Sequence, residues 1–503
     1  MKLKNLSVAL IVATLPATGV FAAALDRSGQ SISAFLQPDN YFEAGISVLD
    51  PTVRGKEAGT SETQRHISDM GDDYYFPSAA IKLQPTDKFS FGLIYDQPFG
   101  ADAAYSGDNI FVSKPGSDSI LGQAALTKIA SDSISKLVQA SGSAFGPALI
   151  AVTTATGGDP KNPTQTEILG ALQQVAKGGN AVVGQGLTNL QNTQNALQAA
   201  KAYLGTGNTK VSVDTQNLSM IFGFQPTKNI NLYAGGVYQT VKGSVSLRGQ
   251  AYSLLNGYDA TIKETGGVGW LAGAAYQIPE IALKASVTYR SEIDHKTDIR
   301  ENLSITDFQD FNKVIAGLGV SADKIAALDT NGKTTITTPQ SVNLDFQTGI
   351  MANTVAFANL RWVNWKDFSI QPYKFGKVSE AVGNLVNRPN GFNLVEYSDD
   401  QYTVTAGIGR KLNEQWAGNV SVGWDSGAGN PVTTLGPTEG YWNLGLGVQY
   451  SPTPSTFIAG GVKYFWLGDA KAQTGAQAGS NDYVAEFKDN NAIAYGLKMG
   501  YRF

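Results

Sequence analysis

The chain has no cysteine in 503 residues, only two histidines, and charged side chains at no more than 16% of positions. Without thiols there is no disulfide and no thiolate metal site. With His66 and His295 alone, neither preceded by a nucleophile arrangement, and with no Gly-x-Ser-x-Gly string, hydrolytic machinery is lacking. The reading is of no catalytic residue, no metal and no cofactor; phosphate-binding loops are missing as well. His295 beside Asp294 reads as a solvated loop histidine rather than half of a dyad. Basic excess is absent too. Removing Lys2 and Lys4 from the 38 basic residues leaves 36 against 42 acidic ones, a balance of −6, so nucleic acid is not an expected partner. No apolar run after the first residues reaches helix-spanning length, which argues against a helical membrane protein.

What is present starts at the N-terminus. Lys2 and Lys4 precede an apolar stretch from Leu6 to Leu15 that closes on Val20-Phe-Ala22. This is the pattern of a Sec signal peptide over residues 1–22, with the mature chain starting near Ala23. At the other end, Ile493, Tyr495, Leu497, Met499, Tyr501 and Phe503 alternate with small or polar residues, and the chain stops on the aromatic. Such a strand turns one row to lipid and the other to a lumen. An exported membrane protein without spanning helices must satisfy its backbone in a closed barrel.

Period-two alternation between turn residues marks fourteen strands, near 41–54, 73–84, 88–98, 210–225, 229–247, 267–278, 281–299, 336–352, 355–370, 400–412, 415–427, 439–451, 456–470 and 487–503. In the seventh, Ile281, Leu283, Ala285, Val287 and Tyr289 oppose Lys284, Ser286, Thr288, Arg290 and Glu292. Short turns such as Gln84-Pro-Thr-Asp87 and Ile278-Pro-Glu280 alternate with long loops, so all short turns fall on one side. The fold class expected is all-β: a fourteen-stranded antiparallel transmembrane barrel over 41–503, in the bacterial outer membrane. The long loop at 99–209 carries helical patterns at Ile120 to Val138, Glu167 to Ala176 and Leu187 to Leu204. Leu187, Leu190, Leu197 and Leu204 share roughly one face, and Gly184 and Gly186 break the run. This loop reads either as an extracellular capture groove or as a packed cap over the lumen.

The strand rhythm, together with Asp96-Gln-Pro-Phe-Gly100, Tyr289-Arg-Ser-Glu-Ile293, Thr338-Pro-Gln-Ser-Val342, Trp362-Val-Asn-Trp-Lys-Asp-Phe368, Gly423-Trp-Asp-Ser-Gly427 and Gly440-Tyr-Trp442, resembles the FadL-type family of outer-membrane transporters for long-chain fatty acids and aromatic hydrocarbons. The resemblance implies a lumen plugged by an N-terminal hatch, here about residues 23–40. It also implies lateral exit at a kinked third strand, where Gly92 or Pro98 would interrupt the ladder. The segment is shorter than the family's hatch and lacks its Asn-Pro-Ala string, which leaves open whether it closes the lumen.

The partners expected are a hydrophobic small molecule and outer-membrane lipid, and a closed barrel needs no second copy, so a monomer is expected. An amphiphile needs apolar contacts for its tail and cations or donors for a carboxylate. Ile32, Phe35 and Leu36 are the candidates for the tail, against simple packing of hatch on wall. Arg27, Lys242 and Arg290 are the candidates for the head group, against ion pairing with lumen acids such as Glu292. The function expected is passive transport of hydrophobic compounds, long-chain fatty acids first. A general diffusion porin and a lipid-acting enzyme are the alternatives.

Overall fold

The computed structural model describes residues 25–115, 121, 123–386 and 388–503. The signal-peptide expectation over 1–22 lies outside them. Fourteen antiparallel strands close into one barrel: β1 (Tyr41–Thr52), β2 (Tyr74–Thr86), β3 (Phe89–Asp96), β4 (Lys210–Thr227), β5 (Ile230–Leu247), β6 (Tyr258–Ile278), β7 (Leu283–Arg290), β8 (Ser341–Met351), β9 (Thr354–Val363), β10 (Gln401–Lys411), β11 (Trp416–Asp425), β12 (Tyr441–Thr453), β13 (Thr456–Leu467) and β14 (Asn491–Arg502). Closure is made by β1 on β14, paired from Tyr41↔Arg502 to Thr52↔Asn491.

Alternation sets the two faces of the wall. On β14, Ile493, Tyr495, Leu497, Met499 and Tyr501 are exposed while Ala492 and Ala494 are buried. The exposed row is greasy because its solvent is hydrocarbon. Trp424, Trp442 and Trp466 stand side by side on β11, β12 and β13. At the short-turn end Trp416 meets Tyr450 at 4.8 Å. Trp416 and Trp424 lie eight residues apart on β11, roughly 27 Å of strand at ~3.4 Å per residue and about 20 Å of depth once tilted by ~40°. That is close to the ~25 Å apolar band of such barrels.

Several boundaries depart from the alternation. β6 runs nine residues further toward the long loops than expected, and β7 stops at Arg290. The strand expected to continue to 299 turns inward as the segment Ile293–Thr297, which pairs with Thr334–Thr338. Glu292, expected on the lumenal row, is therefore exposed. His295, expected to be solvated, is fully buried, with Gln239 Oε1 and the Thr265 carbonyl 3.1 and 3.2 Å from its ring nitrogens.

In the 99–209 loop four helices form: α1 (Gln123–Ser141), α2 (Phe145–Thr156), α3 (Gln165–Lys177) and α4 (Ala181–Ala200). The helical stretch 126–156 is long and apolar enough by composition to cross a membrane, contrary to the reading that no such run exists. It is divided at Gly142, whose φ of +55° lies in the left-handed region. Gly184 and Gly186 do not break α4. Gly186 lets it approach α1, since a Cβ there would stand 2.2 Å from Leu137 Cδ2. The four leucines do not share one partner: Leu187 and Leu190 pack with Ile134, Leu137 and Leu172, whereas Leu197 and Leu204 join the core at the barrel mouth.

Candidate functional site

The lumen is built around the N-terminal segment Leu25–Asn40, which enters the barrel where β3 fails. β3 pairs with β2 up to Ala79↔Tyr95 and resumes as Gly100–Ala104, paired along its length to β4 and on its other side through a bridge of Ala103 to Gly71. Pro98, which has no N–H to give, lies in the break. Its carbonyl accepts from Arg27 N at 2.7 Å, and Gly100 N donates to the Leu25 carbonyl at 2.9 Å. Gly92 does not interrupt the ladder. It is paired on both sides, to Lys82 and to Ile221. Its missing side chain leaves room for Phe35, whose Cδ2 would stand 2.5 Å from a Cβ there.

The segment is tied to the wall on several sides. Arg361 on β9 grips Asp26 with Nε and Nη2 at 2.7 and 3.0 Å, and Nη2 also donates to Gln30 Oε1 at 3.1 Å. Ser28 donates to Asp96 on β3 at 2.5 Å. Asn343 on β8 donates to the Gly29 carbonyl at 2.8 Å, and Lys284 on β7 to the Leu36 carbonyl at 2.9 Å. Lys82 on β2 donates to the Gln37 carbonyl at 2.5 Å. Despite its length, the segment is anchored across the lumen, and buried charges are acceptable there because each meets a partner.

Among the sequence candidates, Ile32, Phe35 and Leu36 are brought together, all buried, with Tyr233, Ile94 and Leu271 of the wall. Phe35 meets Tyr233 edge-on at 5.7 Å. Arg27 is buried with its guanidinium 3.7 Å from the centroid of Tyr74, beside the break in β3. Burial lowers its pKa, opposed by Tyr74, Asp214 and Asp102. Lys242 does not reach the lumen. It stands on the outward row of β5, half exposed, 3.8 Å from Asp214, because it shares the parity of exposed Leu232 and Tyr238.

Arg290 is in the lumen. It donates to Ser219 Oγ and to the Gln30 carbonyl, each at 3.2 Å, while its buried Nε has no partner. It lines a narrow cleft above the N-terminal segment, about 240 Å³ with its opening to solvent included, together with Gln30, Phe99 and Ile293.

A larger cavity, about 730 Å³ including its open mouth, lies among the long loops. Leu254, Leu255, Phe375, Phe392, Leu394 and Leu435 give it apolar walls, and among the described residues none that lines it is charged. Ser253, also in its wall, holds φ +50°, a strained value for a residue with a Cβ. Among the described residues of the helical loop it takes only Leu121; the rest of its wall comes from the neighbouring loops rather than from the 99–209 helices, for which a groove or a packed cap was expected. These residues, and the Arg361–Asp26 pair, escaped the sequence reading. The one signal was leucines and phenylalanines in loops that should be polar. Below the large cavity the barrel mouth is packed rather than open, with Phe99 edge-on to fully buried Trp365 at 5.5 Å. Among the described residues no group of His, Asp and Glu is placed to hold a metal.

A family model described as outer membrane protein transport protein (OMPP1/FadL/TodX) matches residues 172–503. No curated protein sequence matches the chain. Among solved structures it is similar to a FadL homologue of Pseudomonas aeruginosa, at 12% identity over 94% of this chain and 92% of that one, with a TM-score of 0.57. It is also similar to a TodX deltaS2S3 mutant monoaromatic hydrocarbon channel, at 10% identity over 96% of each chain, with a TM-score of 0.50. Likeness at these identities speaks for the fold.

Proposed function

The chain belongs to the OMPP1/FadL/TodX family of outer-membrane channels for hydrophobic compounds, and on that footing we propose that it carries long-chain fatty acids inward by passive diffusion. The long loops face the medium. An apolar tail is captured first in the uncharged pocket of Leu254, Phe375, Phe392 and Leu394, where burial yields about 25 cal/mol per Å². The carboxylate then meets Arg290, whose unpartnered Nε is a donor waiting for an acceptor. Residues 25–40 act as the hatch. Exit is sideways between β2 and β3 at the Pro98 break, with Arg27 on Tyr74 as the group that must swing aside. The protein acts as a monomer, since β1 closes on β14 and the barrel needs no second copy to pair its terminal strands.

The observation that carries this reading is the large cavity in whose wall no described residue is charged. The same observation favours a second reading, a neutral hydrocarbon as the natural cargo. Titration of the delipidated barrel with a long-chain fatty acid and with toluene, each displacing an apolar fluorophore, separates the two. Saturable displacement by the acid at lower concentration supports the first reading, and preference for toluene supports the second. No saturable displacement, together with a stable open conductance, would mean a diffusion porin.

A further inference from the structure

The seam between β6 and the seventh strand is closed only at its two ends. Toward the short turns, pairing runs from Ile278↔Leu283 to Leu271↔Arg290. Toward the loops it resumes from Ile262↔Ile299 to Tyr258↔Leu303. Between these ends the chain leaves the wall, and Ile293–Thr297 pairs with Thr334–Thr338 as a two-stranded ribbon. The last link before the gap is at Ser291, whose N donates to the Trp270 carbonyl at 2.9 Å and whose Oγ accepts from Trp270 N at 3.0 Å.

The ribbon lies on the lumenal side of β6. A Cβ on Gly267 would stand 2.7 Å from Ile293 Cγ2, and one on Gly269 would stand 2.6 Å from Ile293 Cγ1. At 267, where the Asp294 carbonyl would also stand 2.7 Å away, only glycine permits that approach, whereas at 269 a Cβ requires just the Ile293 side chain to turn aside. The ribbon is pinned from inside, where Gln239 Oε1 accepts from Thr338 Oγ1 at 2.7 Å and lies 3.1 Å from His295 Nε2. Outside, Val268 is 77% and Trp270 52% exposed, and Trp270 touches Tyr289 at 5.0 Å across the lower lip. An open strand edge is not tolerated against hydrocarbon unless it lines a cavity or protein. Here it does: a narrow cleft, closed down in this state, joins Gln30, Phe99 and Arg290 of the lumen to Trp270, Ser291 and Ile293 of the seam.

We propose that this seam is a second lateral portal, through which an alkyl chain passes between the lumen above the hatch and the aromatic rim of the membrane, with the 293–297 ribbon as its gate. The portal rests on the reading of the chain as a carrier of apolar molecules. It lies on the β6 side of the barrel, apart from the break in β3. Its membrane-side rim, made by Val268, Trp270, Tyr289 and Ile293, is aromatic and aliphatic, which suits an uncharged chain, while exposed Lys263, Glu264 and Glu292 flank it; the carboxylate of an amphiphile would stay behind at Arg290.

The absence of native cysteine allows one defined lock. A Cβ at position 269 would lie 2.8 Å from Ser291 Oγ, within reach of a disulfide, whose Cβ atoms stand ~3.5–4.5 Å apart. The experiment places the full-length Gly269→Cys, Ser291→Cys protein in nanodiscs whose lipid contains an alkyl diazirine, and maps photolabel by mass spectrometry. Expected is label on lumenal Val237, which is not beside the Pro98 break, in the reduced protein, its loss on oxidation, and its return with dithiothreitol. Label that persists after oxidation, or that is absent in both forms, overturns the portal. Ile293→Ala, which needs no disulfide, should raise the label on Val237; unchanged label overturns the portal equally. Saturable binding from the aqueous side, read on the same preparations, judges the carrier reading by itself.

Discussion

Arg361 and Asp26, 335 positions apart in sequence, form a two-pronged ion pair at 2.7 and 3.0 Å in the middle of the barrel, with both side chains more than nine-tenths buried. A buried pair of this kind adds little net stability over an apolar pair, but removing one partner strands the other, at a cost of about 3–5 kcal/mol. That asymmetry makes it a latch. Asp26→Asn should free the segment 25–40 from β9, raise its exchange with deuterium and raise steady ionic conductance. Unchanged protection of residues 25–40 would show that the remaining links suffice.

Phe35 fills the space above Gly92 and against Tyr233. Phe35→Ala should cost about 3–5 kcal/mol of local packing. The expected outcome is earlier proteolysis within residues 25–40 while the barrel itself keeps its heat-resistant mobility on gels.

Arg290 offers an unsatisfied donor to a carboxylate and nothing to a neutral ring. Arg290→Gln is therefore expected to weaken fatty-acid binding about tenfold, equivalent to ~1.4 kcal/mol, and to leave toluene binding unchanged. Equal loss for both ligands would assign Arg290 to holding Gln30 alone.

Leu394 is buried in the wall of the large cavity. Leu394→Gln buries an amide without a partner, at about 1–3 kcal/mol, and should weaken both ligands alike, as read by fluorophore displacement.

Glu439, in the loop between β11 and β12, has its carboxyl pushed up to about 8 by burial and then by Asp425, from an ordinary 4.5. One oxygen is buried without a hydrogen bond. The folded loop thus holds its proton more tightly than the unfolded one. Its contribution is complete below pH 4.5 and is lost as pH rises through about 8. Glu439→Gln should flatten this fall in thermal stability between pH 5 and pH 9.

Much of the wall was legible because each strand has one greasy row and one small or polar row, so that a slip by one residue would turn every side chain to the wrong solvent. The same logic misled at the seventh strand. Ile293, His295 and Thr297 are buried and Glu292, Asp294 and Lys296 exposed, as in a wall strand, although the segment has left the wall for an inner ribbon. Period two reports pairing and facing, not which layer the strand occupies. Lys242 failed for a related reason, since a basic residue on a strand can stand on the outward row once it rises past the apolar band. The break in the third strand came from the family resemblance, which left Gly92 and Pro98 as its two candidate positions; it falls at Pro98, which cannot donate to a ladder. The large cavity could not, because its walls come singly from several loops and single apolar residues carry no period. Nor could the Arg361–Asp26 pair, which local pattern does not reach.

The central claim is that apolar molecules, not water and ions, pass this barrel. Uptake of a radiolabelled long-chain fatty acid by cells that lack their own outer-membrane carrier for it tests this most directly, comparing the wild-type chain with Leu394→Gln at equal surface amounts. The account predicts saturable uptake that needs the wild-type chain and is weakened by the substitution. Uptake no faster than in cells without the chain, accompanied by entry of a small hydrophilic sugar, would contradict it.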